Sequence, residues 1–355
     1  MAINLHEKYS AKILERFFTK SLILDRLNKD YSFSGVATVK ITIPETVPLN
    51  DYVRNGTNRY GDPKEIQDHI QELVMTQDKS FSMTVDKGNN QDQQGVKAAG
   101  KMMKMEVDEV AVPAMDKYVF ERLANLAGTI VGNTTAINKS NVAERITAGT
   151  TALDDAEVPQ ESRYLYVTAP VHASLRQSDL FERASDSIND AAIKRGKVGM
   201  FDNMEVIKVP KSRMPANVNF MIVYKNAATA PVKLNDTKLH QDPPGISGNL
   251  MEGRFRWDAF VFETKAAGIY VDVNTASGAG TVLAAPTITA NTGAISATGG
   301  ASVKYTIDGT DPRYSSTAAV GTTATGAEEG DTIKAYAFKE GAFNSPVATA
   351  VKTSA

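Results

Sequence analysis

The chain has no cysteine among its 355 residues. That excludes disulfide frameworks and thiolate-held zinc or iron–sulfur sites, and it fits assembly in a reducing cytosol. It also has little net charge: 39 Lys and Arg against 41 Asp and Glu give −2 at pH 7. No strong field therefore draws it to nucleic acid or anionic lipid. No apolar run approaches the roughly 18 residues that a membrane span requires. The opening residues, MAINLHEKYSAKILERF, carry charges every few positions and no apolar secretory core. The expectation is a soluble chain with no membrane partner and no export signal. Histidine is sparse too. His6, His69, His172 and His240 are scattered without metal-ligand spacing, and H-E-x-x-H fails at HEKYS. Neither a metal nor a cofactor is expected.

What is present divides into several styles. Residues 5–27 carry Leu5, Tyr9, Ile13, Phe17, Phe18 and Leu22 at helical steps. A strand follows at VATVKITI (36–43), stopped by Pro44 and Pro48. A long polar excursion then leads to KSFSMTVD (79–86), where Phe81, Met83 and Val85 share one face. Two strands around such an excursion predict a protruding β-arm; the alternative is a disordered surface loop. From Asp92 to about Gly128 the apolar stripe is helical, with Pro113 either kinking this helix or opening a second one.

Inside that helix lies GVKAAGKM, where Gly95, Gly100 and Lys101 match the spacing of a phosphate-binding P-loop. Met102 stands where the Mg²⁺-holding hydroxyl is needed. A P-loop also requires a strand-to-helix turn, whereas this stretch follows the polar run DKGNNQDQQ. The match is read as coincidence on a helix edge carrying Lys97, Lys101 and Lys104.

The middle section alternates strands and helices. RYLYVTA (163–169) runs into a helix opened by Pro170, and MEVIKVP and NFMIVYK read as further strands. In GRFRWDAFVFETKAAGIYV, Phe255, Trp257, Ala259 and Val261 share a face while Phe260 and Phe262 load the other. That predicts a central strand covered on both sides. The fold class is α+β. NTASGAGTVLAAP, after Val273, reads as a flexible linker, and the remaining residues as a small β-sandwich.

No constellation converges on catalysis. His172, Ser174 and Asp179 crowd together in APVHASLRQSD, but a triad is defined by spatial roles and no nucleophile elbow is present. PGISG around Ser247 misses G-x-S-x-G by one position, HQDPPG (240–245) reads as a structural corner, and Asp154 and Asp155 as a capping or loop pair. No catalytic, cofactor-binding or metal-binding residue is assigned, and the chain is not expected to be an enzyme.

Four stretches are similar to one subgroup of prophage capsid proteins. They are MAINLHEKYS, TVPLNDYVRNGTNRYG, MTQDKSFSMTVDKGNNQDQ and KLHQDPPGISGNLMEGRFRWDAFVFETKAAGIY. With the order of elements, they resemble the tailed-bacteriophage major capsid protein of the Hong Kong 97-like fold over residues 1–274. The resemblance implies an N-arm (1–35), an extended loop with its strands (36–90), a spine helix (91–127), and axial and remaining peripheral parts (128–274). It further implies self-assembly into hexamers and pentamers of an icosahedral shell, in a virion assembled in the bacterial cytoplasm. Its partners would be further copies of the chain, a separate scaffolding protein, a portal, and packaged double-stranded DNA held by non-specific contact.

Some members form Lys–Asn cross-links. Lys64, Lys79 and Lys87 lie near the extended loop, but no acceptor Asn or activating Glu matches, so that chemistry is not carried over. After a linker at 275–285, VKYTIDGTDPRYSST in residues 286–355 resembles the immunoglobulin-like domain of chitobiase and β-hexosaminidase-type enzymes. It matches through Tyr305, Asp308, Gly309, Thr310, Asp311 and Pro312. That resemblance implies surface carbohydrate as a ligand; the small-residue linker is expected to let the module stand apart, and it is expected outside the shell because high copy inside would compete with DNA for volume. Asp-Gly-Thr-Asp-Pro is also a good turn for any β-sandwich. The other readings are a carbohydrate-active enzyme, which lacks paired carboxylates in recognisable context, and an adhesin with an immunoglobulin-like module.

Overall fold

The computed structural model describes residues 20–31, 38–92 (apart from 45, 48, 56, 64 and 67), 98–178, 182–183, 197–276 and 280–354. Most of the helix expected over 5–27 lies outside these residues. Its described end is not an α-helix: Leu24–Arg26 make a single 3-10 turn. The Ser21 hydroxyl accepts the Leu24 N–H at 3.2 Å, a local bond that competes with helix. Leu22, Ile23 and Leu27 are all buried, and adjacent residues cannot both lie at the centre of one helix face.

β1 (Thr38–Pro44) pairs antiparallel with β2 (Asp68–Val74), from Thr38 opposite Val74 to Pro44 opposite Asp68. This ribbon, roughly 20 Å long at strand rise, carries residues 45–67 at its tip. The sequence reading put the partner strand at 79–86, whereas it lies inside the polar excursion. β2 hides its strand character because its buried positions include Gln71. That amide donates to Val261 O at 2.8 Å and accepts the Glu263 N–H at 3.2 Å. β3 (Gln77–Asp86) belongs to a different sheet.

After the short α1 (Lys87–Asp92) comes the long helix, α2 (Ala99–Glu106) and α3 (Val112–Asn125), joined by a π-helical turn at Val107–Ala111. Both alternatives for Pro113 are partly right. Helical backbone is continuous, but the turn before the proline widens, and the Val112 N–H reaches back to Val107 O. A proline lacks an N–H and its ring crowds the carbonyl four residues earlier; a wide turn relieves that clash.

The body is one mixed seven-stranded sheet. Its strands are β4 (Thr129–Asn133), β5 (Arg163–Thr168), β6 (Glu182–Arg183), β7 (Lys197–Phe201), β8 (Met204–Val209), β9 (Val218–Tyr224) and β14 (Ile269–Asn274), in the order β4-β14-β9-β5-β8-β7-β6. The long helix covers one face, where Phe120 and Leu123 pack with Tyr166, Met221 and Val271. On the other face α4 (Val142–Asp155) and α5 (Ala169–Arg176) set Ile146, Leu153 and Leu175 against Leu165, Phe220 and Ile222. Burial on both sides explains why β5 and β9 read as unbroken apolar runs. α4 approaches closely at Gly149, where a Cβ would lie 2.7 Å from Ile222 Cδ1.

Around residue 250 the structure corrects the expected doubly covered strand. β10 (Ala228–Thr229) pairs with β13 (Phe260–Val261), while β11 (Val232–Gln241), β12 (Gly248–Trp257) and β3 form a separate sheet with β12 in the middle. The strand stops at Trp257 and the chain turns at Asp258. Met251, Gly253, Phe255 and Trp257 are buried while Glu252 and Arg254 are exposed. This sheet is therefore covered on one face only, by Met115, Val107 and Ala111 of the long helix.

The C-terminal module has two sheets, β15 (Thr287–Thr289) with β16 (Ala294–Ser296), and β17 (Ser302–Thr306), β18 (Ala319–Val320), β19 (Thr332–Phe338) and β20 (Ala348–Val351) in the order β18-β17-β19-β20. They enclose Ile295, Val303, Ile333 and Ala335. The expectation that a flexible linker lets this module stand apart does not hold. Leu283 is buried, the Leu283 N–H bonds Phe343 O, and the Phe343 N–H bonds Thr281 O. Tyr314 and Phe343 join the apolar core beneath the long helix.

Candidate functional site

Residues singled out for chemistry in the sequence scatter in space. Gly100, Lys101 and Met102 lie in the first turn of α2, where the Lys101 and Met102 N–H groups bond Ala98 O. Those two donors are committed to the helix, and the stretch does not follow a described strand; Gly95 and Lys97 fall outside the described residues. His172 and Ser174 are two apart on α5 and point to opposite sides, and His6 and Asp179 lie outside the described residues. His240 Nε2 sits 3.3 Å from Glu252 on the neighbouring strand. His240 and Gln241 end β11, and 242–247 form the β11–β12 turn, closed by Asp242 N–H to Gly248 O at 2.7 Å. Lys87 pairs with Asp242, and this bond holds the Asp242 carboxyl below its ordinary pKa. Lys79 is exposed beside β12, and Lys64 lies outside the described residues. Asp154 sits in the last turn of α4, not at a cap, and accepts Arg163 Nη2 at 2.7 Å.

What the fold does bring together is a set of buried carboxylates, each joining segments distant in sequence. Asp116 on α3 accepts the Ser21 hydroxyl at 2.6 Å, the Leu22 N–H at 3.0 Å and Arg213 Nη1 at 2.7 Å. It thereby anchors the chain at residues 20–22 to the long helix. Asp258 accepts the Thr76 N–H and hydroxyl at 2.7 and 2.9 Å and the Tyr118 hydroxyl at 2.9 Å. It fixes the β2–β3 turn against the same helix. Asp272 on β14 takes a two-pronged pair from Arg145 of α4, with Asn133 and Asn219 completing its shell at 2.6 and 2.7 Å. Buried charge persists only where partners replace water so fully. Sequence reading passed over all three, because a lone Asp shows nothing of its partners.

The second feature is apolar and exposed. Eight of the thirteen large apolar side chains that stand exposed among the described residues lie on the ribbon: Val47, Leu49, Tyr52, Val53, Tyr60, Ile66, Ile70 and Val74. Leu49 is fully exposed, at 102 %, and Tyr60 at 86 %. The tip nevertheless has local order. Tyr52 and Tyr60 meet edge to face at 5.1 Å, and the Val53 N–H bonds Arg59 O. A groove of about 570 Å³ also opens between the long helix and β3–β12, floored by Phe81, Met115, Tyr118, Phe255 and Trp257, with Lys79, Lys117, Glu106 and Glu121 at its rim. No helix among the described residues is long and apolar enough to cross a membrane. No cluster of metal-ligating side chains occurs among them either.

Comparison with known proteins places this geometry. The Fn3-associated family matches residues 294–351. Nothing among functionally curated proteins matches the chain. In three dimensions the chain is similar to a solved structure from Mycobacterium phage Che8, with TM-score 0.62 and 18% identity over 76% of this chain and 98% of that one. It is similar to the mature capsid of bacteriophage PhiM1, with TM-score 0.58 and 10% identity over 78% and 92%. The capsid of cyanophage P-SCSP1u gives TM-score 0.56 and 12% identity over 77% and 93%. The chain thus has a mixed α+β fold shared with phage capsid structures, and it ends in a segment matching the Fn3-associated family.

Proposed function

We propose that the chain is the major capsid protein of a tailed bacteriophage or prophage, with the Hong Kong 97-like fold, self-assembling into the shell that encloses the DNA genome. The observation that carries this reading is the ribbon. It holds most of the exposed large apolar side chains of the described residues on a two-stranded projection that has no core of its own. A concentration of exposed large apolar side chains on one element suits a contact surface, and a projection repeated on every copy can make heterologous contacts that close into a shell. Many modest contacts then hold the assembly through avidity.

On this reading residues 1–35 are the N-arm, 36–90 the extended loop and 91–127 the spine helix. The parts within 128–274 complete the wall. The near-neutral charge suits a wall around DNA that is held non-specifically, since tight DNA binders cluster Lys and Arg. A separate scaffolding protein and a portal are further partners. The C-terminal module, immunoglobulin-like in this proposal, faces outward, where weak contacts with surface carbohydrate gain from high copy number. No enzymatic activity is assigned.

The test is electron microscopy of the purified chain, with and without a co-expressed scaffold, alongside hydrogen exchange. Particles or hexamers and pentamers are expected, with the ribbon tip, residues 49–66, exchanging fast in free subunits and slowly in particles. A small discrete oligomer under all conditions, or equal ribbon protection in both states, would overturn the reading.

A further inference from the structure

At its carboxyl end the long helix closes on itself through the Leu126 N–H to Arg122 O, and the C-terminal module supplies the next donors. An α-helix leaves its last four carbonyls without intrahelical partners. Here the carbonyls of Asn125, the last residue of α3, of Leu126, which caps it, and of Ala127 just beyond receive donors from the module. Asn344 Nδ2 reaches Asn125 O at 2.9 Å, the Tyr314 hydroxyl reaches Leu126 O at 2.5 Å, and Arg313 Nη1 reaches Ala127 O at 2.9 Å. Arg313 is held in place by Asp311, with Nη2 to Oδ2 at 2.8 Å, and lies 5.2 Å from the centre of the Tyr314 ring. A guanidinium at a helix carboxyl end also meets the negative end of the helix dipole. The donors come from loops flanking the module's sheets, and the Tyr314 and Phe343 rings are seated in the body core.

The same loop reaches the ribbon. Glu263 Oε1 accepts the Asp311 N–H at 2.9 Å, and its Oε2 lies 3.1 Å from His69 Nε2 on β2. The backbone N–H of Glu263 goes to Gln71, also on β2. One side chain therefore bridges the module's turn and the root of the ribbon.

We infer that the C-terminal module is a brace built into each chain, which holds the carboxyl end of the long helix and, through Glu263, the root of the ribbon. Its partner surface is the patch formed by residues 125–127 and Glu263 of its own chain. The brace belongs to the isolated chain, so its failure and that of the capsid reading are separable.

Hydrogen exchange of the full-length unassembled chain tests it. The Leu126 and Gly128 N–H groups bond Arg122 O and Ala266 O and report on the helix end. In Arg313→Ala combined with Tyr314→Phe they should exchange roughly tenfold faster, as expected when buried hydrogen bonds that hold a helix end are lost. Amides of β17, β19 and α4 should keep their protection, which shows that module and body remain folded. Glu263→Ala should speed exchange at residues 69–72 and 311–313 together. Tyr314→Phe alone keeps the ring in the core, so it tests the same point if the double variant does not fold. Unchanged exchange at 126 and 128 in Tyr314→Phe, or an effect of Glu263→Ala on only one of its two segments, would overturn the brace.

Discussion

Asp116→Ala is the most demanding test of how the chain is held to its long helix. The Asp116 side chain is fully buried and that of its partner Arg213 is 5% exposed. The substitution leaves the guanidinium buried without its carboxylate, with Lys20 O still accepting at 3.1 Å, and removes the acceptor for the Ser21 hydroxyl and Leu22 N–H. Breaking a buried pair from one side costs about 3–5 kcal/mol, a large part of the roughly 5–15 kcal/mol that a typical domain has in total. Asp116→Asn keeps the shape and one acceptor oxygen, so about 2–3 kcal/mol is expected from the weakened charge-assisted bond. Asp116→Leu with Arg213→Met removes both charges and should recover part of the loss, the rest remaining because the Leu22 N–H still lacks its acceptor. Urea unfolding of the unassembled chain measures all three. Trp257 is the sole tryptophan and packs beside Met115 on α3, so its fluorescence reports on the body rather than the C-terminal module. A loss below about 1 kcal/mol for Asp116→Ala, or additive effects in the double variant, would refute the reasoning.

Three further outcomes follow from the same structure. Burial, then the charges of Lys208 and Arg176, hold the His172 imidazole below its ordinary value of 6.5. The native state then binds fewer protons than the unfolded chain. Stability should be complete above pH 6.5 and fall as pH drops toward the lowered folded value, and His172→Gln should flatten that slope in denaturant titrations. Gly149→Leu would drive a side chain into Ile222 and the Tyr270 ring. A loss of about 1–3 kcal/mol is expected, and an unchanged unfolding midpoint would show that α4 can move away. A protease site engineered between residues 276 and 280 should allow cutting without release, because the module is docked by Tyr314, Phe343 and Asn344. Separation of the fragments on size exclusion without denaturant would contradict that docking.

The legible parts of the fold were those written as local patterns. β5, β9 and the long helix show in their apolar runs and spacing, because covered strands and one-sided helices impose those periods on nearby residues. β2 was missed because its buried position carries Gln71, which is satisfied by backbone groups some 190 residues away. The strand around Trp257 was overextended because Phe260 and Phe262 are apolar. They instead pack with Leu73 and Met75 of the ribbon root, on the far side of the turn at Asp258. Composition misled most at Thr281–Leu283. Small, uncharged residues serve a flexible tether equally well when they are pinned, and only the location of Phe343 decides which it is.

Two buried carboxylates and the half-buried Glu263 act in a different way. Asp116, Asp258 and Glu263 each hold one appendage against the body: the chain entering at residue 20, the β2–β3 turn, and the C-terminal module. Apolar contacts alone would hold those appendages with similar strength but little sense of direction, since hydrophobic burial is non-directional. A carboxylate with two or three donors at fixed distances accepts one orientation and penalises the others by leaving a buried charge unsatisfied. If the ribbon must meet a neighbouring copy in one geometry, its root has to be aimed, not merely attached. Replacing Asp258 and Tyr118 together by Leu and Phe also strips the Thr76 and Ala259 N–H groups of their acceptor, so a loss of about 2–5 kcal/mol is expected, and the closure of particles should fail even where the free chain is still folded. Regular particles from that double variant would show that packing alone aims the ribbon.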